Sequence, residues 1–206
     1  MLTVGLTGSS GSGKGYVSSI IKDSGIPCLD TDKVCRDVYK KGEDCYYDLV
    51  SFFGNDILDA DGEIDRKALF NIAFPDKDKY EKLNSIAFMH IMKITKKWIS
   101  EMEADGQKIV IIDAPMLFES GFDKLCDKVV AVTADFSTQI SRIMHRDGIS
   151  YDVALERLKK QKSNQYYESK SDYVLDNSAS NECNIWSDTK KLVGLLRRIS
   201  STKREM

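Results

Sequence analysis

The run Gly8-Ser9-Ser10-Gly11-Ser12-Gly13-Lys14 fits the pattern G-x-x-x-x-G-K. These residue types serve one kind of chemistry, the gripping of a phosphate chain. Glycines let consecutive backbone N–H groups converge on phosphate oxygens without Cβ clashes. A helix starting at the end of the loop aims its partial positive charge at the same oxygens. Lys14 adds a full charge at the β- and γ-phosphates. A Gly/Ser turn that merely joins two elements would not account for strand, spacing, lysine and helix together. The candidate nucleotide-binding residues are Gly8, Gly11, Ser12, Gly13, Lys14, Gly15 and Tyr16. Gly15 departs from the pattern, which has Ser or Thr there to ligate Mg²⁺. Glycine offers no oxygen, so Mg²⁺ would be held through phosphates and water.

Phosphoryl transfer to a hydroxyl also needs a carboxylate to orient the hydroxyl and accept its proton. In a parallel sheet, ligands sit outside the C-terminal strand ends. Two candidates follow apolar runs there. Asp32 is assigned to the hydroxyl, and Asp113 to Mg²⁺, directly or through water. For Asp30 and Asp32 the competing role is N-capping of a helix that begins near Lys33. Thr138–Lys162 carries Arg142, Arg146, Arg157, Lys159, Lys160 and Lys162. Arg142 and Arg146 stand four apart and share a helix face. Beside a phosphate loop they are candidates to stabilise charge on the transferred group. Without that loop, a solvated charged face would be the better account.

The elements that must position these groups are legible as alternation. Leu2–Leu6, Ile109–Asp113, Val129–Thr133 and Tyr173–Leu175 read as buried strands, with Ile26–Leu29 a weaker fifth. Helical patterns at Lys14–Lys22, Thr138–Arg146 and Asn184–Ile199 lie between or after them. The expected fold is α/β: a P-loop NTPase-type parallel five-stranded sheet with helices on both faces, a helical insertion and a helical lid. One domain is expected over 1–206. Its core would be 1–31, 104–137 and 171–206, its helical substrate region 32–103, and its lid 138–170. Turns are expected at Asp59–Gly62 and Pro75–Asp76, and a helical piece at Ser150–Lys162.

Composition narrows the function classes. The chain has 206 residues and a formal net charge of −2, with 42% hydrophobic and 30% charged residues. That balance gives no reason to expect binding to nucleic acid or to an anionic membrane. No apolar run approaches the ~20 residues needed to cross a bilayer. Met1–Gly8 has neither a basic n-region nor a cleavage site, so no signal peptide is expected. The five cysteines, Cys28, Cys35, Cys45, Cys126 and Cys183, form no Cys-x-x-Cys pair. A reducing cytoplasm fits them better than a disulfide framework or a zinc site. Asp59-Ala60-Asp61-Gly62-Glu63 has the wrong spacing for a calcium loop. His90 and His145 lack partners at metal-ligand spacing.

At this point the chain resembles the dephospho-CoA kinase family from Val4 to about Asn177. The carriers are the opening Val4-Gly5-Leu6-Thr7-Gly8 with its loop, and Cys28-Leu29-Asp30-Thr31-Asp32 with Arg36. Gly62-Glu63-Ile64-Asp65-Arg66 with Leu69 and Pro115-Met116-Leu117-Phe118-Glu119 follow. Gln139, Arg142, Arg146-Asp147, Arg157 and Gln161 resemble the family's lid. Asp172-Tyr173-Val174-Leu175-Asp176-Asn177 resembles its last strand. The resemblance implies ATP and Mg²⁺ as cofactors and dephospho-CoA as acceptor. It implies Asp32 as catalytic base, with Lys14, Arg142 and Arg146 catalytic on the ATP side, and Asp32, Arg36 and Arg66 as substrate-binding residues. Three places depart from the family pattern: Gly15-Tyr16 for Ser-Thr, Phe88-Met89 for His-Pro, and Ser171 for alanine. They leave two alternatives open, a kinase for another nucleoside or small hydroxyl acceptor, and a non-catalytic nucleotide-binding homologue. Oligomeric state is not implied.

Overall fold

The computed structural model describes residues 1–178 and 184–202. The chain divides into two compact units, Met1–Leu29 with Glu101–Met206, and Asp30–Ser100.

The first unit carries the sheet. Its strands are β1 (Leu2–Thr7), β2 (Cys28–Asp30), β3 (Ile109–Asp113), β4 (Lys128–Thr133) and β5 (Tyr173–Asp176). They lie in the order β2-β3-β1-β4-β5. The β1–β3, β1–β4 and β4–β5 pairs are parallel. The sheet expected from the alternation is therefore present. Its weakest strand is shorter than its apolar run: β2 begins at Cys28, after Pro27, whose carbonyl accepts from Ile111 N–H of β3 at 2.9 Å but which has no N–H to give in return.

The order puts β1 at the centre, so the loop leaving its C-terminal end is flanked by the ends of β3 and β4. One face of the sheet is covered by α1 (Lys14–Asp23) and α9 (Ile185–Thr202). Alternate β1 residues Leu2, Val4 and Leu6 meet Val17 and Ile21 of α1 and Leu192, Val193 and Leu196 of α9 there. A 3₁₀ turn at Phe122–Leu125 packs against β1, and α8 (Asn164–Lys170) against β4.

Two further helices, α6 (Phe136–Asp147) and α7 (Tyr151–Lys159), share a small core of Ile140, Ile143 and Ala154 with Met144, Ile149, Leu155 and Leu158 around it. The helical piece expected over Ser150–Lys162 thus ends at Lys159. A separate helix, α8, follows after Ser163, whose side chain accepts from Tyr166 N–H. It has only seven residues, nearly all polar, so no apolar period announces it.

The second unit holds α2 (Thr31–Val38), α3 (Asp44–Phe53), a 3₁₀ turn at Asn55–Ile57, α4 (Arg66–Ala73) and most of α5 (Lys77–Ala104). The turn at Asp59–Gly62 is closed by a Leu58–Ile64 bridge. Asp59 Oδ1 accepts from the N–H of Asp61 (3.0 Å) and of Glu63 (2.9 Å). That carboxylate therefore shapes the turn itself.

Leu196 is fully buried in the α1–α9 face. Leu196→Ala is expected to cost about 2–5 kcal/mol, read as a lowered midpoint in urea denaturation. An unchanged midpoint would show that α9 is not part of this core.

Candidate active site

The chain leaves β1 at Thr7, passes through the loop and enters α1 at Lys14. Three loop glycines are obligatory for steric reasons, the first being Gly8, where a Cβ would stand 2.3 Å from the backbone oxygen of Val132. Gly11 has φ 79°, and a Cβ there would stand 2.6 Å from the backbone oxygen of Gln139. Gly13 has φ 87°, and a Cβ there would stand 2.1 Å from Asn177 Nδ2. The loop is thus pressed between α6 and the end of β5 with no room for side chains. Gly13 is also the N-cap of α1, and no side chain caps that end. Gly15 differs: a Cβ there would meet no atom within 4 Å, so its smallness is not imposed by packing. Tyr16 is exposed.

Side chains from α6, α8, the link between α7 and α8, and the residue just after β5 hold the loop from outside. Ser10 N–H donates to Gln161 Oε1 at 2.7 Å. Gln139 Nε2 donates to Ser9 Oγ and, at 3.3 Å, to the Ser10 carbonyl. Ser9 Oγ donates to Asn164 Oδ1 (3.3 Å), and Asn164 Nδ2 donates to the Ala134 carbonyl (2.7 Å). Asn177 Nδ2 reaches the Ser12 carbonyl at 2.8 Å. Arg142 Nη1 reaches the carbonyls of Gly11 (3.2 Å) and Ser12 (3.3 Å). Three successive loop carbonyls, which would otherwise repel an anion, are therefore bonded to donors.

Lys14 Nζ is ion-paired with Asp113 Oδ1, both side chains being largely buried. The pairing follows from topology. Asp113 ends β3, opposite Leu6 of β1 in the ladder, so its carboxylate comes beside the loop that β1 feeds. Arg146 Nη2 donates to Ser10 Oγ at 3.2 Å. Its Nε and Nη2 also hold Asp147 in a two-point pair, at 2.8 and 2.9 Å. Arg157 Nη1 pairs with the same carboxylate. The Arg146 hydrogen bonds hold the Asp147 carboxyl below its ordinary value, with the charges of Arg146 and Arg157 acting in the same direction.

The acceptor-side candidates lie in the second unit. Asp30, not Asp32, is the N-cap of α2, accepting from Asp32 N–H (2.9 Å) and Lys33 N–H (3.1 Å). Asp32 and Arg36 stand on α2, and Arg66 is the first residue of α4. Cys35, on α2 with Asp32 and Arg36, has its thiol pKa raised mainly by burial. Among the described residues no group of three or more His, Cys, Asp or Glu is placed to hold a metal ion. Burial pushes the thiols of Cys28, Cys45 and Cys126 up to about 12. These thiols stay protonated at neutral pH and are no nucleophiles. Cys183 lies outside the described residues.

Comparison with known proteins decides between the ways such a loop can be used. A family model described as dephospho-CoA kinase matches residues 2–182. The chain belongs to the dephospho-CoA kinase family. Among curated relatives, the dephospho-CoA kinase of Fusobacterium nucleatum is 40% identical over 182 residues, 88% of this chain and 92% of its own. That of Oryza sativa is 39% identical over 205 residues, 97% of this chain and 85% of its own. A solved Thermus thermophilus structure is 26% identical, with a TM-score of 0.79, and covers 93% of this chain and 95% of its own.

Against this dephospho-CoA kinase frame, residue types alone did not single out Gln139, Gln161, Asn164 and Asn177 as loop-holding groups. Ordinary amides give no chemical signal. The family resemblance marks Gln139 and Gln161 in the lid and Asn177 after the last strand, without giving their role, and leaves Asn164 unmarked.

Gly11→Ala forces a side chain into a left-handed backbone, on the order of 1–3 kcal/mol of strain, and into the Gln139 backbone. Equilibrium titration should show ATP affinity lowered at least tenfold, on the order of that strain. ATP binding as tight as in the unmodified protein would contradict the crowded-loop geometry.

Proposed function

We propose that the protein transfers the γ-phosphate of ATP to the ribose 3′-hydroxyl of dephospho-CoA, giving coenzyme A, the last step of its synthesis. The observation that carries this reading is the phosphate loop with Lys14 and Asp113 beneath it, in a chain of this family. ATP displaces Asp113 as the main partner of Lys14, and the lysine charge then meets the β- and γ-phosphates. Backbone N–H groups of the loop and of the start of α1 take the remaining phosphate oxygens. Arg142 and Arg146 oppose charge that builds up on the transferred group. Asp32 orients the 3′-hydroxyl and accepts its proton, and Arg36 and Arg66 hold the acceptor.

Mg²⁺, when bound, neutralises charge between the β- and γ-phosphates. This chain would offer it the Asp113 carboxylate, directly or through water, and no hydroxyl at Gly15. Among the described residues no helix is long and apolar enough to cross a membrane, and the protonated thiols suit a reducing compartment. We assign the protein to the cytoplasm, acting on small molecules. A different hydroxyl acceptor is favoured by one feature, Phe88-Met89 in place of His-Pro, with Met89 well exposed on α5.

Initial rates with Mg²⁺ and ATP across an acceptor panel test the assignment. Dephospho-CoA should exceed adenosine and AMP in kcat/KM by more than tenfold, since binding energy from the rest of the acceptor is spent at the reacting centre. An equal or higher value for another acceptor would favour that acceptor instead. Asp32→Asn should lower kcat by ~10²-fold or more, and near-normal turnover would remove Asp32 as the base. Gly15→Ser has room for its side chain. It should lower the Mg²⁺ concentration needed for half-maximal rate, and an unchanged Mg²⁺ dependence would show that this position does not face the metal.

A further inference from the structure

Among the described residues, most charged pairs link one acid to one base on exposed surface. Asp147 is different. It is the last residue of α6, and its carboxylate receives guanidinium groups from two helices, Arg146 of α6 and Arg157 of α7. Gly148 follows with φ 64° and closes α6 through its N–H to the Met144 carbonyl (2.9 Å). The chain then doubles back into α7, which packs on α6 through the shared Ile140–Ile143–Ala154 core. Two cations would repel each other across that packing, and one carboxylate between them removes the conflict.

The arrangement does little for folding. The side chains of Arg146, Arg157 and Asp147 are 57%, 50% and 24% exposed, and exposed ion pairs contribute between zero and about 1 kcal/mol. Its effect is on geometry. A guanidinium is a planar fork, and holding one edge in two places fixes its plane. Asp147 takes the Nε/Nη2 edge of Arg146. The same Nη2 touches Ser10 Oγ of the phosphate loop at 3.2 Å, and the Nη1 edge keeps its two donors for a ligand.

We propose that Asp147 is a positioning residue for the nucleotide's phosphate chain, fixing Arg146 and Arg157 as one paired cationic unit at the edge of the phosphate loop. Asp147 touches no substrate itself and acts through the two arginines. This role rests on the reading of the loop as an ATP site, and not on which molecule accepts the phosphate.

The test is ATP affinity of the full-length protein, measured by calorimetry without any acceptor, alongside thermal unfolding. Asp147→Asn should weaken ATP binding by about tenfold, the middle of the range for coupled neighbours, with little change in Tm. Asp147→Glu should recover part of the loss. In an Arg146→Ala/Arg157→Ala background, adding Asp147→Asn should cost at most a fraction of that factor. Unchanged or tighter ATP binding by Asp147→Asn would overturn the proposal. So would a tenfold loss that persists undiminished in the double-arginine background. If the unmodified protein binds ATP but does not phosphorylate dephospho-CoA, the acceptor assignment fails while the role of Asp147 is still decided.

Discussion

A backbone that must run within contact distance of its neighbours, with no side chain between, is the constraint on which this site depends. Gly11 lies against the Gln139 backbone and Gly13 against the Asn177 amide. That proximity requires β1 to be central, β4 and β5 to follow on one side, and α6 to start close beside the loop. The sheet order β2-β3-β1-β4-β5 supplies all of this. It also brings Asp113, at the end of β3, beside the lysine that opens α1. Loop, lysine and carboxylate are thus consequences of one topology.

Electrostatics explains why the cationic groups are found with partners. Lys14 is largely buried, and a buried ammonium without an anion is costly; removing one partner of such a pair typically costs about 3–5 kcal/mol. Asp113 meets that need in the nucleotide-free protein. Arg142 rests on loop carbonyls, and Arg146 on Asp147 and Ser10. ATP binding is then an exchange of partners, so its free energy depends on how much better phosphate oxygens suit these cations than Asp113 and the loop carbonyls do. Asp147 belongs to a separate class, because its contact with Arg146 can persist while the other edge of the guanidinium meets a ligand.

Much of the fold was legible in the sequence. β1, β3, β4 and β5 announce themselves as short runs of apolar and β-branched residues, and the helix after the loop follows its glycine-lysine ending. Asp30 and Asp32 could not be separated by residue type, since both suit an N-cap. The structure gives the cap to Asp30 through its bonds to the N–H groups of Asp32 and Lys33. α8 was not visible, being short and polar. The hydrogen bonds that the side-chain amides of Gln139, Gln161, Asn164 and Asn177 make to the loop were not visible as a set either. They join residues more than 120 positions apart in sequence, and nothing but the finished strand order brings them together. For the candidate site, glycine spacing and Lys14 could be read from the chain, whereas the partners of Lys14 and Arg142 required coordinates.

The account stands on phosphate leaving ATP only when the proper hydroxyl is in place. The direct measurement is ADP release by the unmodified protein with Mg²⁺ and ATP, with and without dephospho-CoA, and identification of the product by mass. The account predicts ADP release that depends on the acceptor, with coenzyme A formed in equal amount. ATP binding without acceptor-dependent ADP release would contradict it.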